Sequence, residues 1–289
     1  MRYTHFIILF AGVLFIECKK KQEDILQEVR GTKFDLLTKT IDTYTDGKSV
    51  TDYSYNSQNQ LIQENSVRTF FDSTKWKVNN TWYRNPAGQP DSMKSEFAYG
   101  TDPPGAQKQY YHYDAAGELS YCISYRNITN PYSSIDSCVY FYSGGLVAKR
   151  LDYTSALTTI LHNTLTHEMY YQYDGLNNIS AITFVNYDFS SGAPPKKDTV
   201  TLSYIYDEKK NPYYQNESFY SYYVSLSFED YASKNNIVQI MYNGKSTSND
   251  KDIFSLQYNT ASKPDRLLVT SYGVGSTRPI IWTTDYYYN

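Results

Sequence analysis

A nine-residue motif recurs along this chain at a nearly fixed spacing. In its best copy, Tyr111–Leu119, two alternating tyrosines precede an aspartate, a glycine and a leucine. A fixed period of about 20–50 residues is typical of repeat architectures, in which each period is one supersecondary unit. Degenerate copies recur about every 29 residues, with the Asp/Asn position or its equivalent at Asn56, Asn85, Asp114, Ser143, Asp174, Asp207, Ala232, Asn259 and Asn289.

Each part of the motif has the chemistry of a β-hairpin. Alternating tyrosines place two rings on one face of a strand, and Asp or Asn accepts hydrogen bonds from the backbone of its own turn. Gly or Asn then allows the positive φ of a tight turn. Two strands per period predict an all-β antiparallel meander of about 16–18 strands, forming a strongly curved sheet or an open barrel. The expected turn residues are Asn56, Asn85, Asp114, Gly117, Asp174, Asp207 and Asn259.

The motif Tyr-x-Tyr-Asp-x-x-Gly-x-Leu/Ile resembles the YD repeat of Rhs-type proteins. It is more similar to the looser repeats of Bacteroidota lipoproteins of unknown function, in which tryptophan-bearing hairpins such as Lys75–Asn80 precede the next tyrosine motif. The resemblance covers residues 34–289. It implies a single repeat β domain whose extended sheet curls, and it carries no catalytic residues to this chain.

The first residues resemble an export signal. An unbroken apolar stretch, Phe6–Ile16, ends at Glu17-Cys18; its 11 residues suit a secretory signal and are too few to span a bilayer. The cysteine and the charged run after it resemble a lipoprotein signal and tether. We expect a signal peptide at 1–17, a lipid on Cys18, a tether at 18–33 and attachment to the outer membrane, on its periplasmic or its outer side. An ordinary secretory signal or an uncleaved anchor is the alternative.

Charge and composition exclude two other classes of protein. The chain has 27 basic and 30 acidic residues and a formal net charge of −3, so the electrostatic footprint of nucleic-acid binding is missing. With 40% hydrophobic and 17% aromatic residues, it is too apolar for intrinsic disorder. We expect the membrane as a partner through Cys18, a protein or a glycan as a second partner, and no nucleic acid.

The histidines and aspartates do not have the spacing of a catalytic or metal site. His162 and His167 are five positions apart, unlike the zinc-protease helix, and would point to opposite faces of a strand. Asp114, Asp174 and Asp207 could be the carboxylates of a glycosidase, but their equivalent motif positions favour turn capping. We predict no enzyme activity, no cofactor and no metal site. An enzyme with an unrecognised site is the second alternative.

The 33 tyrosines and 3 tryptophans raise the question of a binding surface. Because the tyrosines recur at one motif position, cross-strand ladders explain them better than sugar stacking does. Trp76 and Trp82 fall in one hairpin and could form an aromatic binding patch, whereas Trp282 is expected to pack. We favour a structural or protein-interaction surface as the function. A carbohydrate-binding cell-surface lipoprotein is the alternative.

Cys122 and Cys138 are predicted to form a disulfide. If Cys18 carries lipid, they are the two remaining cysteines of an exported chain. A hairpin folded about residue 130, where Thr129–Pro131 has turn chemistry, places the two cysteines directly opposite each other. Opposed residues of antiparallel strands have Cα atoms about 4.5–5.5 Å apart, which is within disulfide range.

Overall fold

Sixteen β-strands make up the part of the chain that the structure describes. This computed structural model describes residues 36–126, 134–156, 164–189, 195–212, 233–244, 250–273 and 279–288. Cys18, the predicted signal and tether, the turn at 129–131, His162 and the repeat copy at 230–232 lie outside these residues. The strands are β1 Leu37–Tyr44, β2 Gly47–Tyr55, β3 Leu61–Phe70, β4 Lys75–Arg84, β5 Pro90–Tyr99, β6 Gly105–Tyr113, β7 Leu119–Arg126, β8 Ser134–Ser143, β9 Leu146–Ala156, β10 Thr164–Tyr173, β11 Ile179–Asp188, β12 Lys196–Lys210, β13 Asn235–Gly244, β14 Asp250–Tyr258, β15 Pro264–Tyr272 and β16 Ile280–Tyr288.

Each strand pairs with its neighbours in chain order, and the sheet closes on itself. The first strand pairs antiparallel with the last, from Leu37–Tyr288 to Thr43–Thr283. Closure removes the two edges at which an open sheet would expose unpaired backbone groups. The predicted all-β antiparallel meander is therefore confirmed, and the form that it takes is a closed barrel.

The repeated Asx turns form one end of the barrel, which we call the turn end. In the best copy, Asp114 Oδ1 accepts the backbone N–H groups of Ala116 and Glu118 at 2.9 Å each, and Gly117 has a φ of 81°. Four other turns have the same two features. The backbone N–H four positions after the Asx residue donates to the Asx side chain, and the residue three positions after it has a positive φ. Their Asx residues are Asn56, Asn85, Asp174 and Asn259, and their positive-φ residues are Asn59, Gly88, Asn177 and Ser262.

The turn predicted at Asp207 does not close directly as the other turns do. The two motif copies counted at 207 and 232 are therefore one hairpin, and the number of copies falls by one. Asp207 lies within β12, and β12 pairs with β13, so residues 207 and 235–237 belong to one hairpin rather than two copies. The Asp207 carboxylate still accepts the backbone N–H of Lys209 at 2.9 Å. The second backbone N–H that it accepts, at 3.2 Å, belongs to Asn236. In the regular turns this donor is the residue four positions after the Asx residue. The carboxylate therefore holds together a turn into which a longer connection is inserted.

The tyrosines of the motif join each hairpin to the preceding one. The residue directly before the Asx position, or before its equivalent, donates a hydrogen bond to a backbone carbonyl of the preceding return strand. The acceptor is the first residue of that strand, except in β9, where it is the second. These bonds of 2.6–3.0 Å satisfy carbonyl groups at the barrel wall, which explains why a tyrosine recurs there. They are Tyr55 to Leu37, Arg84 to Leu61, Tyr113 to Pro90, Tyr142 to Leu119, Tyr173 to Val147, Tyr206 to Ile179 and Tyr288 to Pro264.

Buried apolar side chains line the inside of the barrel near the turn end. They form two clusters, one on β3–β8 and one on β9–β13. The first contains Leu61, Trp82, Met93, Tyr111, Leu119, Cys122 and Cys138, and the second contains Val147, Met169, Tyr171, Ile179, Ile182, Leu202, Tyr204, Ile237 and Ile240.

The cysteine hairpin shows which face of the sheet points inward. Cys122 lies opposite Cys138 with their Cα atoms 5.4 Å apart, and the two sulfurs form a disulfide. Both are buried, whereas Tyr121 and Tyr125 on the alternate face are 38% exposed. The face of β7 that carries Tyr121 and Tyr125 therefore points outward, and the face that carries Cys122 and Ser124 points into the lumen.

Candidate functional site

Away from the turn end, the lumen is lined by polar side chains, which we call the polar layer. Gln107 Nε2 donates to Ser124 Oγ at 2.7 Å, and the Tyr111 hydroxyl donates to Gln109 Oε1 at 2.9 Å. These bonds offset the cost of removing the groups from bulk water. The buried members of the layer are Asn80, Ser95, Gln107, Gln109, Ser124, Asp136, Arg150 and Asp152.

A buried ion pair lies within the polar layer. Arg150 Nε and Nη2 donate to the two carboxylate oxygens of Asp152 at 2.7 and 3.1 Å, and the residues are 4% and 2% exposed. Across the ladder, the Thr154 hydroxyl donates to Asp136 at 3.0 Å. The two charges compensate each other, so the pair does not form a free cationic or anionic site.

Burial displaces the pKa values of Glu64 and His167, two of the titratable groups in the lumen. Burial raises the pKa of Glu64 to about 7, against an opposing hydrogen bond from Asn80. Burial also lowers the pKa of His167, whose Nδ1 has no hydrogen-bond partner in the described part of the chain. Among the described residues, no group of histidine, cysteine, aspartate or glutamate side chains could hold a metal ion.

The wall of the barrel separates between β13 and β14 toward the turn end. Their ladder has four pairs, from Tyr242–Asp250 to Gln239–Ile253, and beyond these β14 continues to pair with β15. The tyrosine of this repeat, Tyr258, bonds Asp207 and accepts Asn236 Nδ2 at 3.2 Å. We call the region between β13 and β14 beyond the Gln239–Ile253 pair the seam. Side chains bridge it in place of ladder bonds.

A cavity of about 260 Å³ lies on the lumen side of the seam. Two rows of laterally paired residues on β14, β15 and β16 form its wall. They are Phe254–Val269–Trp282 and Leu256–Leu267–Thr284. Asn211, Asn236 and Tyr286 also line the cavity, and Asn236 and Tyr286 are buried. The described lining residues carry no formal charge, so the cavity combines aromatic rings with neutral polar groups.

The proposed aromatic patch at Trp76 and Trp82 is not formed, which corrects the interpretation of that hairpin. Trp82 points into the lumen and is 3% exposed, whereas Trp76 is 44% exposed near the other end of β4. Six residues of a strand separate the rings by about 20 Å. Trp282 packs in the barrel wall as expected, but it also lines the cavity. The irregular motif spacing between Asp207 and Asn259 is the sequence signal that could have indicated this region.

The outer wall carries paired charges and exposed aromatic rings. Lysine–carboxylate pairs join Lys39 to Asp52 at 3.1 Å and Lys149 to Glu168 at 3.0 Å. Further pairs are Lys94–Glu96 and Arg266–Asp285. On β7–β10, an outer aromatic face consists of Tyr121, Tyr125, Phe141 and Tyr170, each 38–46% exposed.

Comparison with known proteins identifies relatives of the fold. No protein-family model matches the chain, and no curated protein matches it. A porin-like protein from Bacteroides uniformis is similar in structure, with a TM-score of 0.52 and 10% sequence identity over 88% of this chain and 98% of that chain. A porin-like protein from Bacteroides vulgatus has a TM-score of 0.42 and 14% identity over 88% and 99% of the two chains. None of the described residues forms a helix long and apolar enough to cross a membrane. At 10% identity, the first likeness describes the fold, a closed barrel of antiparallel strands.

Proposed function

We propose that the chain is an exported lipoprotein, anchored to the outer membrane by lipid on Cys18, whose barrel stands in water and acts as a non-catalytic interaction surface. The apolar stretch, cysteine and charged run at the N-terminus support the anchor. The similarity to YD-repeat lipoproteins belongs to the same proposal, since the turn and tyrosine positions that carry it build the barrel. Lipidation would hold the protein to a membrane without a spanning segment.

The observation that carries the proposal is the charge on the outer wall. Met93 and Ser95 point into the lumen and are buried, so Lys94 and Glu96 between and beside them point outward. A lipid-facing wall needs an apolar band about 25 Å tall, and a lysine near the bilayer midplane costs about 2–4 kcal/mol. Charged pairs on β1–β2, β5, β9–β10 and β15–β16 place such charges around the barrel, which favours water as its surroundings.

The outer aromatic face supports a protein as the partner. Lys149 lies over the Tyr170 ring at 4.9 Å and pairs with Glu168, so the rings stand beside fixed charges. Aromatic side chains that present large rigid surface beside polar groups are enriched where proteins bind one another. The aspartates of the turns are occupied in capping, which favours a non-catalytic role.

Phase partition of the expressed protein tests the anchor and the water-exposed wall together. Wild type is expected in the detergent-rich phase and Cys18→Ala in the aqueous phase, still folded as judged by circular dichroism and cooperative melting. Cys138→Ala is the matched control and should partition as wild type does. A folded Cys18→Ala protein that has lost residues 1–17, as judged by its mass, and that still stays in the detergent-rich phase would show that the barrel wall itself binds lipid, and it would refute the proposal.

Site-specific photo-crosslinking tests the interaction surface. A photoreactive phenylalanine analogue at Phe141 in the outer aromatic face is expected to give a discrete protein adduct in cells. The same analogue at Ser255, an exposed position on β14, is the control and should give none. Equal labelling at both positions, or none at Phe141, would contradict a partner at this face.

A further inference from the structure

We propose that the cavity at the seam binds a neutral sugar ring. This goes beyond the interaction surface proposed for the outer wall, because the site lies on the lumen side and takes a small molecule. The cavity of about 260 Å³ is just below the range of about 300–1,000 Å³ that accommodates drug-sized ligands. A single pyranose ring, rather than an oligosaccharide, suits that volume.

The aromatic side chains supply the surface on which a ring can lie. Trp282, Phe254 and Tyr286 come from two strands, β16 and β14, and line one cavity. The Trp282 and Phe254 side chains are half-buried and therefore keep accessible surface. The C–H face of a pyranose is apolar, and its burial against such rings is favourable for the same reason as any apolar contact.

The polar groups of the cavity match hydroxyls that both donate and accept hydrogen bonds. Asn236 uses its Nδ2 on Asp207, Lys209 and Tyr258, and no described residue donates to its Oδ1. Trp282 lines the same cavity, and its indole N–H is a hydrogen-bond donor. One acceptor and one donor beside aromatic rings form a complementary site for a polyhydroxylated ring.

The same groups disfavour other ligand classes. Among the described lining residues an anion or a cation would find no opposite charge, because none of these side chains is charged. An acyl chain would cover the Asn236 amide without satisfying it, which is costly for a buried polar group. The neutral sugar is therefore the ligand class that uses both the rings and the amide.

In this proposal a ligand enters at the seam, where the wall lacks ladder bonds and is bridged by the side chains of Tyr258 and Asn236. Over residues 254–258, β14 pairs with β15, and its ladder with β13 has ended. Every other neighbouring hairpin is joined at the turn end by a tyrosine or arginine bond to a strand carbonyl, whereas Tyr258 bonds side chains instead. The cavity thus lies at the place where the turn-end bonding pattern changes.

Calorimetric titration of the intact protein in a non-glycosidic detergent tests the proposal. The probes are the methyl glycosides of glucose, galactose, mannose and N-acetylglucosamine, with glucuronic acid as the charged analogue. Wild type is expected to bind at least one neutral glycoside at one site and glucuronic acid more weakly. Trp282→Ala is expected to weaken that binding by about tenfold or more, and Trp282→Phe by less. Trp76→Ala, which removes a ring outside the cavity, is the matched control and should bind as wild type does.

Three results would overturn the proposal. They are no binding of any neutral glycoside by folded wild type, equal affinities of Trp282→Ala and Trp76→Ala, and binding of cyclohexanol in place of the glycosides. If Trp282→Ala fails to fold, Phe254→Leu takes its place with the same expected loss. Because the intact lipoprotein is used, failure here leaves the phase partition of Cys18→Ala unaffected, so the two proposals fail separately.

Discussion

Replacing Glu64 by glutamine is expected to stabilise the barrel at neutral and alkaline pH and to have little effect in acid. Glu64 lies between Tyr53 and Asn80 in the ladder and points into the lumen, where burial raises its pKa from 4.5 to about 7. A carboxyl group with a raised folded-state pKa binds more protons in the folded chain than in the unfolded chain. The unfolding free energy therefore falls as the pH rises between the two pKa values.

The magnitude follows from the size of the displacement. A rise from 4.5 to about 7, at about 1.4 kcal/mol per pKa unit, gives an upper value of about 3 kcal/mol. The carboxyl group lies deep in the lumen, but the side chain as a whole keeps some accessible surface. Solvent screening reduces the effect, and we expect about 1–3 kcal/mol at about pH 8 and almost none at about pH 4.

Denaturant unfolding of wild type and Glu64→Gln across this pH range measures the difference. Other titrating groups are shared by both proteins and largely cancel in the comparison. Glu96→Gln, which removes an exposed carboxylate of the outer wall, is the control and is expected to change the unfolding free energy by about 0–1 kcal/mol. A difference between wild type and Glu64→Gln that does not grow with pH, or that grows in favour of wild type, would refute the reasoning.

Three further substitutions or treatments test the construction of the barrel. Tyr113→Phe removes a hydroxyl that satisfies a strand carbonyl and should cost about 1–2 kcal/mol in denaturant unfolding, whereas Tyr83→Phe on the exposed face should cost almost nothing. Reducing the Cys122–Cys138 disulfide should lower the unfolding free energy by about 3 kcal/mol, and an unchanged melting curve would contradict this. Asp152→Asn leaves a buried guanidinium without its counter-charge and should cost about 3–5 kcal/mol, but replacing both partners by apolar residues should recover most of the loss.

Local hydrogen bonding explains why the turns and hairpins could be read from the residues. Each Asx side chain bonds backbone groups within four positions, and Gly117 takes its positive φ within the same turn. The register between Cys122 and Cys138 also follows from one hairpin, since two adjacent strands must keep one face together. The hydroxyl bonds of the tyrosines escaped prediction because each reaches 18–27 residues back to a neighbouring hairpin.

The candidate site depended on contacts that no single repeat contains. Phe254, Trp282 and Asn236 stand at positions that repeat periodicity treats as ordinary strand or turn residues. They line one cavity beside the turn at Asp207, where Asn236 supplies the second backbone donor and the next tyrosine bonds side chains in place of a carbonyl. The pattern of aromatic residues alone selected Trp76 and Trp82, which the barrel places far apart.

The amino-acid sequence by itself determined the hairpin unit, its period and its turn residues, because these depend on hydrogen bonds and backbone conformations within one repeat. The tertiary structure decided three other features: closure of β1 on β16, the polar lumen, and the seam between β13 and β14. Closure joins the two ends of the described barrel, and it can occur only when the accumulated curvature of all sixteen strands brings Leu37 to Tyr288. Which face of each strand becomes the lumen follows from that curvature, since a period of two residues defines two faces but not the direction in which the sheet bends.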